Sequence, residues 1–236
     1  MANYVQDTGK VHDTGADATI AFSFPSLPKA GRLIVVYVWG WDSAGTWSFD
    51  TCADNQSNTY AEAVAVSEND QMNASIFYAY NIGTPSGTFT VTATASENVD
   101  QLLGVAVEYA GFGTVDPLDK TKTASTGNDT APTTGASAAI TQPNELIAAL
   151  HANTAIGSVA VTTPTGYSRR AVETDNSAAQ SGEAVDRFTA IASPITATWT
   201  ISPGGPWTAC LATFKALSPF RINKLRPAIF TPGRAR

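Results

Sequence analysis

Every residue from Leu33 to Trp39 is apolar. Alternation puts Val35, Tyr37 and Trp39 on one face of this run and Ile34, Val36 and Val38 on the other. A strand with two apolar faces is covered on both sides, so the run predicts a central strand. Leu102–Tyr109 reads the same way. Thr88–Thr94 alternates cleanly, with Phe89, Val91 and Ala93 facing in and the threonines facing out. Tyr60–Ser67, the aromatic-rich Ala74–Ile82, Glu145–Ala152, Tyr167–Glu173, Glu183–Ile191, Thr196–Ile201 and Ala209–Leu217 complete the predicted strands. Helical periodicity is nearly absent, and Gly, Pro, Asn and Asp break the chain roughly every eight to fifteen residues. About ten to twelve strands are expected, which suits an all-β, two-sheet β-sandwich of jelly-roll type better than one open sheet.

The pattern repeats. Gly31–Val35 resembles Asn144–Ala148, and Ser75–Ala79 resembles Asp186–Ala190. Thr88–Thr92 resembles Ile195–Trp199, and Leu103–Tyr109 resembles Cys210–Ala216. The order of the four blocks is kept, at offsets of 107 to 113 residues. Residues 1–217 therefore read as one sandwich of two pseudo-repeated halves, roughly 1–121 and 139–217. The polar, Thr-rich stretch Lys122–Ala138 is expected to cross between them.

Composition narrows the classes. Charged residues are 14% of the 236, against about 25% in an ordinary soluble domain, and hydrophobic residues are 43%. Disorder needs the opposite balance. Two cysteines exclude a disulfide scaffold or a zinc ribbon. No stretch approaches the ~20 apolar residues of a spanning helix. The segment Met1–Asp7 has neither a basic nor an apolar region of the secretory kind, so no secretory signal is expected.

The net charge of −6 hides a division. Residues 218–236 carry Arg221, Lys224, Arg226, Arg234 and Arg236 and no acid, a charge of +5. The other 217 residues carry 9 basic and 20 acidic side chains, a charge of −11.

Candidate chemistry is sparse. His12 and His151 are the only imidazoles, no G-x-S-x-G elbow occurs, and no Cys lies near a His, so no catalytic residue is assigned. A glycan-degrading enzyme would need carboxylates paired across a cleft, and the sequence does not pair them. Asp54–Asn58 is rich in oxygen but lacks EF-hand spacing, which points to an Asx turn and no metal site. Gly204-Gly205 lies in a hairpin setting rather than a phosphate loop. Cys52 and Cys210 are expected to be free, mostly buried thiols. No cofactor is expected. Trp39, Trp41, Trp47 and Phe49 form an aromatic cluster. Trp39 belongs to a core strand. Trp41 and Trp47 flank a loop and are candidates either for stacking on a glycan or for a subunit contact.

The last nineteen residues are unlike the rest. Pro219, Pro227 and Pro232 block helix and central strand, so an extended arm is expected. Phe220, Ile222, Leu225, Ile229 and Phe230 alternate with Arg221, Lys224, Arg226, Arg234 and Arg236. Such an arm suits a partner surface with acidic charge and apolar pockets. An acidic body disfavours nucleic acid, and the prolines disfavour a membrane-lying helix. A neighbouring protein subunit fits both the charge and the anchors.

Several features together resemble jelly-roll virion proteins on the outside of tailed bacteriophage particles. They are the short start, the Thr/Ala/Gly-rich sandwich, Asp54–Tyr60, Glu108-Tyr109-Ala110-Gly111, and the ending Arg226–Arg236. The sandwich motifs cover most of residues 30–217 and also occur in bacterial surface and carbohydrate-active proteins. The resemblance implies a non-enzymatic head decoration (cement) protein or a fibre component. Its partners would be the major capsid protein or other virion subunits, and its oligomer a trimer. The alternative expectation is a carbohydrate-binding adhesin domain with Trp41 and Trp47 as stacking residues.

Overall fold

The computed structural model describes residues 2–69, 71–155, 158–174 and 180–217. Among them the chain forms β-strands and no helix. In the first half these are β1 (Asn3–Asp7), β2 (Val11–Asp13), β3 (Asp17–Ser23), β4 (Leu33–Trp41) and β5 (Phe49–Asp54). They continue as β6 (Ala61–Glu68), β7 (Met72–Ala79), β8 (Thr90–Val99) and β9 (Gln101–Ala110). The second half has β10 (Leu118–Asp129), β11 (Leu146–Asn153), β12 (Ala160–Thr162) and β13 (Ser168–Glu173). It ends with β14 (Ser181–Phe188), β15 (Thr200–Ser202) and β16 (Gly205–Phe214).

These strands make four antiparallel sheets, where the sequence predicted two. One large sheet has the order β1-β9-β4-β7-β6, with β2 also paired to β9. The other has the order β10-β16-β11-β14-β13. A three-stranded sheet, β3-β8-β5, and a two-stranded one, β12-β15, are smaller. The sheets stack in four layers, with the large ones inside. Leu33, Val35, Tyr37 and Trp39 of β4 meet Leu146, Ala148 and Leu150 of β11 and Phe214 of β16 in the central core. Ile34, Val36 and Val38, on the other face of β4, meet Phe22 of β3 and Val91 of β8. Ile147, Ala149 and Leu211 meet Ile195 and Trp199 on the far side of the second large sheet.

The layering explains the continuous apolar runs. A strand with a sheet on each side must be apolar on both faces, and β4, β9 and β11 are buried along nearly their whole length. Leu33–Trp39 is buried on both faces, as predicted, and burial follows the alternation predicted for Thr88–Thr94. Four differences stand out. The polar N-terminus forms three strands. Phe49–Asp54 is a strand. The Thr-rich stretch from Lys122 to Asp129 is most of β10 and pairs with β16 from Leu118↔Phe214 to Asp129↔Gly205, so it is sheet and not a crossing. The strand expected over Thr196–Ile201 contracts to β15, preceded by an isolated bridge between Thr133 and Thr198.

Candidate functional site

The arm residues Phe220, Arg221, Ile222, Lys224, Leu225, Arg226, Ile229, Phe230, Arg234 and Arg236 lie outside the described residues. The place where the chain reaches them is described. Phe112 bridges to Ala216, and the Leu217 N–H donates to the Gly111 carbonyl at 2.8 Å. Leu217 is 58% exposed and Val115 is 80% exposed. Both line a cavity of about 350 Å³.

Trp41 and Trp47 are not neighbours on one surface. Trp41 ends β4, is half-buried, and packs against the core between the large sheets. Trp47 is buried in the core beneath the three-stranded sheet. Its indole N–H donates to the Gln71 carbonyl at 2.9 Å, and its ring meets Phe49 edge-on at 5.1 Å. The two rings serve different layers, so the fold does not join them in one stacking platform.

Between the large sheets lies a buried polar network that the sequence did not reveal. Asp186 of β14 faces the first half and is 1% exposed. Arg170 of β13 grips it with two hydrogen bonds, at 2.7 and 2.8 Å. A bulge between Arg169 and Ala171 gives β13 the extra residue that places Arg170 there. The Arg170 guanidinium also lies 3.8 Å from the centre of the Tyr4 ring. Tyr109 donates to Asp186, and its hydroxyl lies 3.3 Å from that of Tyr37. Burial pushes both phenols well up, reinforced by the Asp186 charge. Burial opposes the charge on Arg170, but the hydrogen bonds and charge of Asp186 outweigh it and raise its pKa. Arg170 therefore stays charged. The network fixes the register of one half on the other and has its polar groups engaged internally, which is a structural role.

The histidines sit apart. His12, on β2, approaches Gln101 at 3.1 Å through Nε2 and Glu173 at 3.3 Å through Nδ1. His151, on β11, is fully buried against Trp199, with ring centres 4.8 Å apart. Desolvation pushes its pKa down to about 3, so it is a neutral core ring. Cys52 and Cys210 are free, and burial raises both thiols. The Asp54 carboxylate accepts from the Gln56 and Asn58 backbone N–H groups at 2.9 and 3.1 Å. It also accepts from the Asn58 amide at 2.8 Å and the Tyr60 hydroxyl at 3.1 Å. This is the predicted Asx turn, with its oxygens already used. Among the described residues no group of three or more His, Cys, Asp or Glu is placed to hold a metal ion.

A surface cavity of about 540 Å³ lies where the first half crosses to the second. The turn before β6, the end of β7 and the loop between β9 and β10 line it. Tyr78 and Tyr80 stack in its wall with centroids 6.2 Å apart and an interplanar angle of 21°. Asp116 also lines it, with Oδ1 accepting from the Tyr78 hydroxyl at 2.9 Å and the Leu118 N–H at 3.0 Å. The sequence signal for this cavity is the aromatic-rich run Ala74–Ile82. Its proximity to Asp116 is a product of the fold.

Compared with protein-family models, curated proteins and solved structures, the chain matches none.

Proposed function

We propose that this chain is a non-enzymatic virion structural protein that decorates and stabilises a phage capsid, anchored partly through residues 218–236. The observation that carries the reading is the division of charge. A body of −11 is followed by nineteen residues of +5 that carry five large apolar side chains. A solvated tail has no use for Phe220, Ile222, Leu225, Ile229 and Phe230. A segment that clamps a neighbouring subunit uses both the anchors and the cations. The partner would be the major capsid protein or another virion subunit, with a trimer of this chain as the decorating unit. The body supports the reading through its mechanics. Two large sheets, each covered on both faces, make a stiff acidic block whose charge keeps particles apart.

We also infer that the body is two jelly-roll-type halves related by duplication. The support for this reading is that β9-β4-β7 are neighbours in one large sheet and β16-β11-β14 in the other. On this reading β4 corresponds to β11, β7 to β14 and β9 to β16.

The test is to purify particles from the source lysate and measure copies of this protein against the main shell protein by quantitative peptide mass spectrometry. Copies in a simple ratio to the shell protein support decoration. A handful per particle moves the assignment to a fibre or tail position. Absence from particles overturns the virion reading.

A further inference from the structure

The cavity at the crossing between the halves has a use that a purely structural subunit does not require. We propose that it binds one ring of a neutral pyranose saccharide, with Tyr80 as the stacking face and Asp116 as the acceptor of ring hydroxyls. This goes beyond the decoration reading and does not depend on it.

The argument begins with size. About 540 Å³ lies within the range of small-ligand sites and accommodates one or two sugar rings. The wall supplies the apolar element. Tyr78 is buried, 3% exposed, and rests on Phe214 at 5.2 Å, so it is held fast. Tyr80 stacks on Tyr78 and is half-buried, which gives it a rigid backing and ring surface toward the cavity. The C–H face of a pyranose carries partial positive charge and suits the negative face of such a ring. The loop between β9 and β10 supplies the polar element. Asp116 is pinned through Oδ1 by the Tyr78 hydroxyl and the Leu118 N–H. Its Oδ2 has no hydrogen-bond partner among the described residues. An oriented carboxylate oxygen is a strong acceptor for a sugar hydroxyl. Thr59, Asn81 and Thr114 add short polar side chains around the rim.

Charge selects among ligands of this shape. The cavity is lined by one carboxylate and no cation, and the body around it carries −11. Phosphorylated, sulfated and uronic sugars are therefore disfavoured. The Tyr78 hydroxyl is committed to Asp116, so Tyr78 positions the acceptor and Tyr80 and Asp116 meet the ligand.

The experiment is saturation-transfer NMR on the full chain with four neutral probes, glucose, galactose, mannose and N-acetylglucosamine, and two charged ones, glucuronic acid and glucosamine. The expected result is transfer to the ring protons of at least one neutral sugar, lost in Tyr80→Ala. Tyr80→Phe keeps the ring and is expected to keep binding. Asp116→Asn preserves shape and an acceptor for Tyr78, and is expected to weaken binding roughly tenfold, the effect of one charge-assisted hydrogen bond. Trp41→Ala, in a different layer, is expected to change nothing. Circular dichroism checks that each variant is folded, and Asp116→Asn carries the test if Tyr80→Ala is not. Three outcomes overturn the proposal: no transfer to any neutral sugar, transfer that survives the two ligand-contact substitutions, or transfer confined to a charged probe.

Discussion

Asp186 takes two hydrogen bonds from Arg170 and one from Tyr109 while staying 1% exposed. A carboxylate in that position is tolerable only while Arg170 is there, because an uncompensated charge in a core is costly. Asp186→Asn keeps the shape and removes the charge, leaving Arg170 without its counterion. The expected loss is about 3 kcal/mol in urea denaturation, the low end for a buried pair because the Arg170 side chain keeps 14% exposure. The double variant Arg170→Met, Asp186→Leu is expected to lose less than the single one, and a larger loss would contradict the counterion argument. His151 acts through pH instead. Its pKa is about 3 in the folded chain, below the ordinary 6.5, so the unfolded chain binds the extra proton. The stability that this neutral ring contributes is complete above pH 6.5. It falls as pH drops from 6.5 toward 3, by about 1.4 kcal/mol per pH unit. His151→Phe keeps the ring contact with Trp199 and removes the proton site. Its stability, followed by urea titration from pH 7 to pH 4, should fall less steeply than that of the native chain by that amount. Equal slopes would show that His151 is not protonated on unfolding.

At the scale of the element, the sequence spoke clearly where packing is symmetric and poorly where it is not. β4, β9 and β11 were legible because both their faces are covered and nothing polar fits there. β10 was not, because it is an edge strand with Thr121, Lys122 and Ser125 exposed. Its strand state comes from pairing with β16, almost ninety residues away at Thr123↔Cys210, and a local pattern carries no trace of that. The N-terminal strands share this character, and so does the cavity, whose aromatic pair comes from the end of β7 and whose carboxylate comes from the loop between β9 and β10. Trp41 and Trp47 show the reverse error: six residues apart, they look like one cluster, yet the large sheet separates them. Two-sided burial also sets a steep cost on added volume. At Gly104, in the middle of β9, a Cβ would lie 2.4 Å from the Tyr37 carbonyl oxygen and 2.7 Å from Phe22. Neither the paired strand nor the covering sheet can move away independently. Gly104→Ala is expected to destabilise by about 1–3 kcal/mol or prevent folding. Gly83→Ala, whose Cβ would meet only Asn58 at 3.8 Å, is expected to be near neutral. Thermal denaturation of the two variants side by side decides the matter.

On the decoration proposal the whole molecule separates stability from attachment, and that separation can be measured. Every buried apolar residue described lies between Ile20 and Ala216. Truncation after Leu217 therefore removes none of the described core. The truncated chain is expected to melt within ~2 °C of the full one, the effect of a surface change in a chain of this size. Its charge, however, moves from −6 to −11. On the decoration proposal, the five cations of residues 218–236 meet an acidic partner surface, and their apolar neighbours fill pockets there. Particle binding by the full chain should then weaken as salt rises from 0.05 to 0.5 M without vanishing, because ionic contacts are screened and apolar ones are not. The truncated chain should not bind particles at any salt concentration. Neutralising Arg221, Lys224 and Arg226 together to Gln should reproduce the high-salt affinity at low salt. Replacing Phe220, Ile222 and Phe230 with Ser should abolish binding at every salt concentration. Co-sedimentation with particles stripped of this protein reads all four cases. Retained binding by the truncated chain would move the attachment surface onto the sandwich itself.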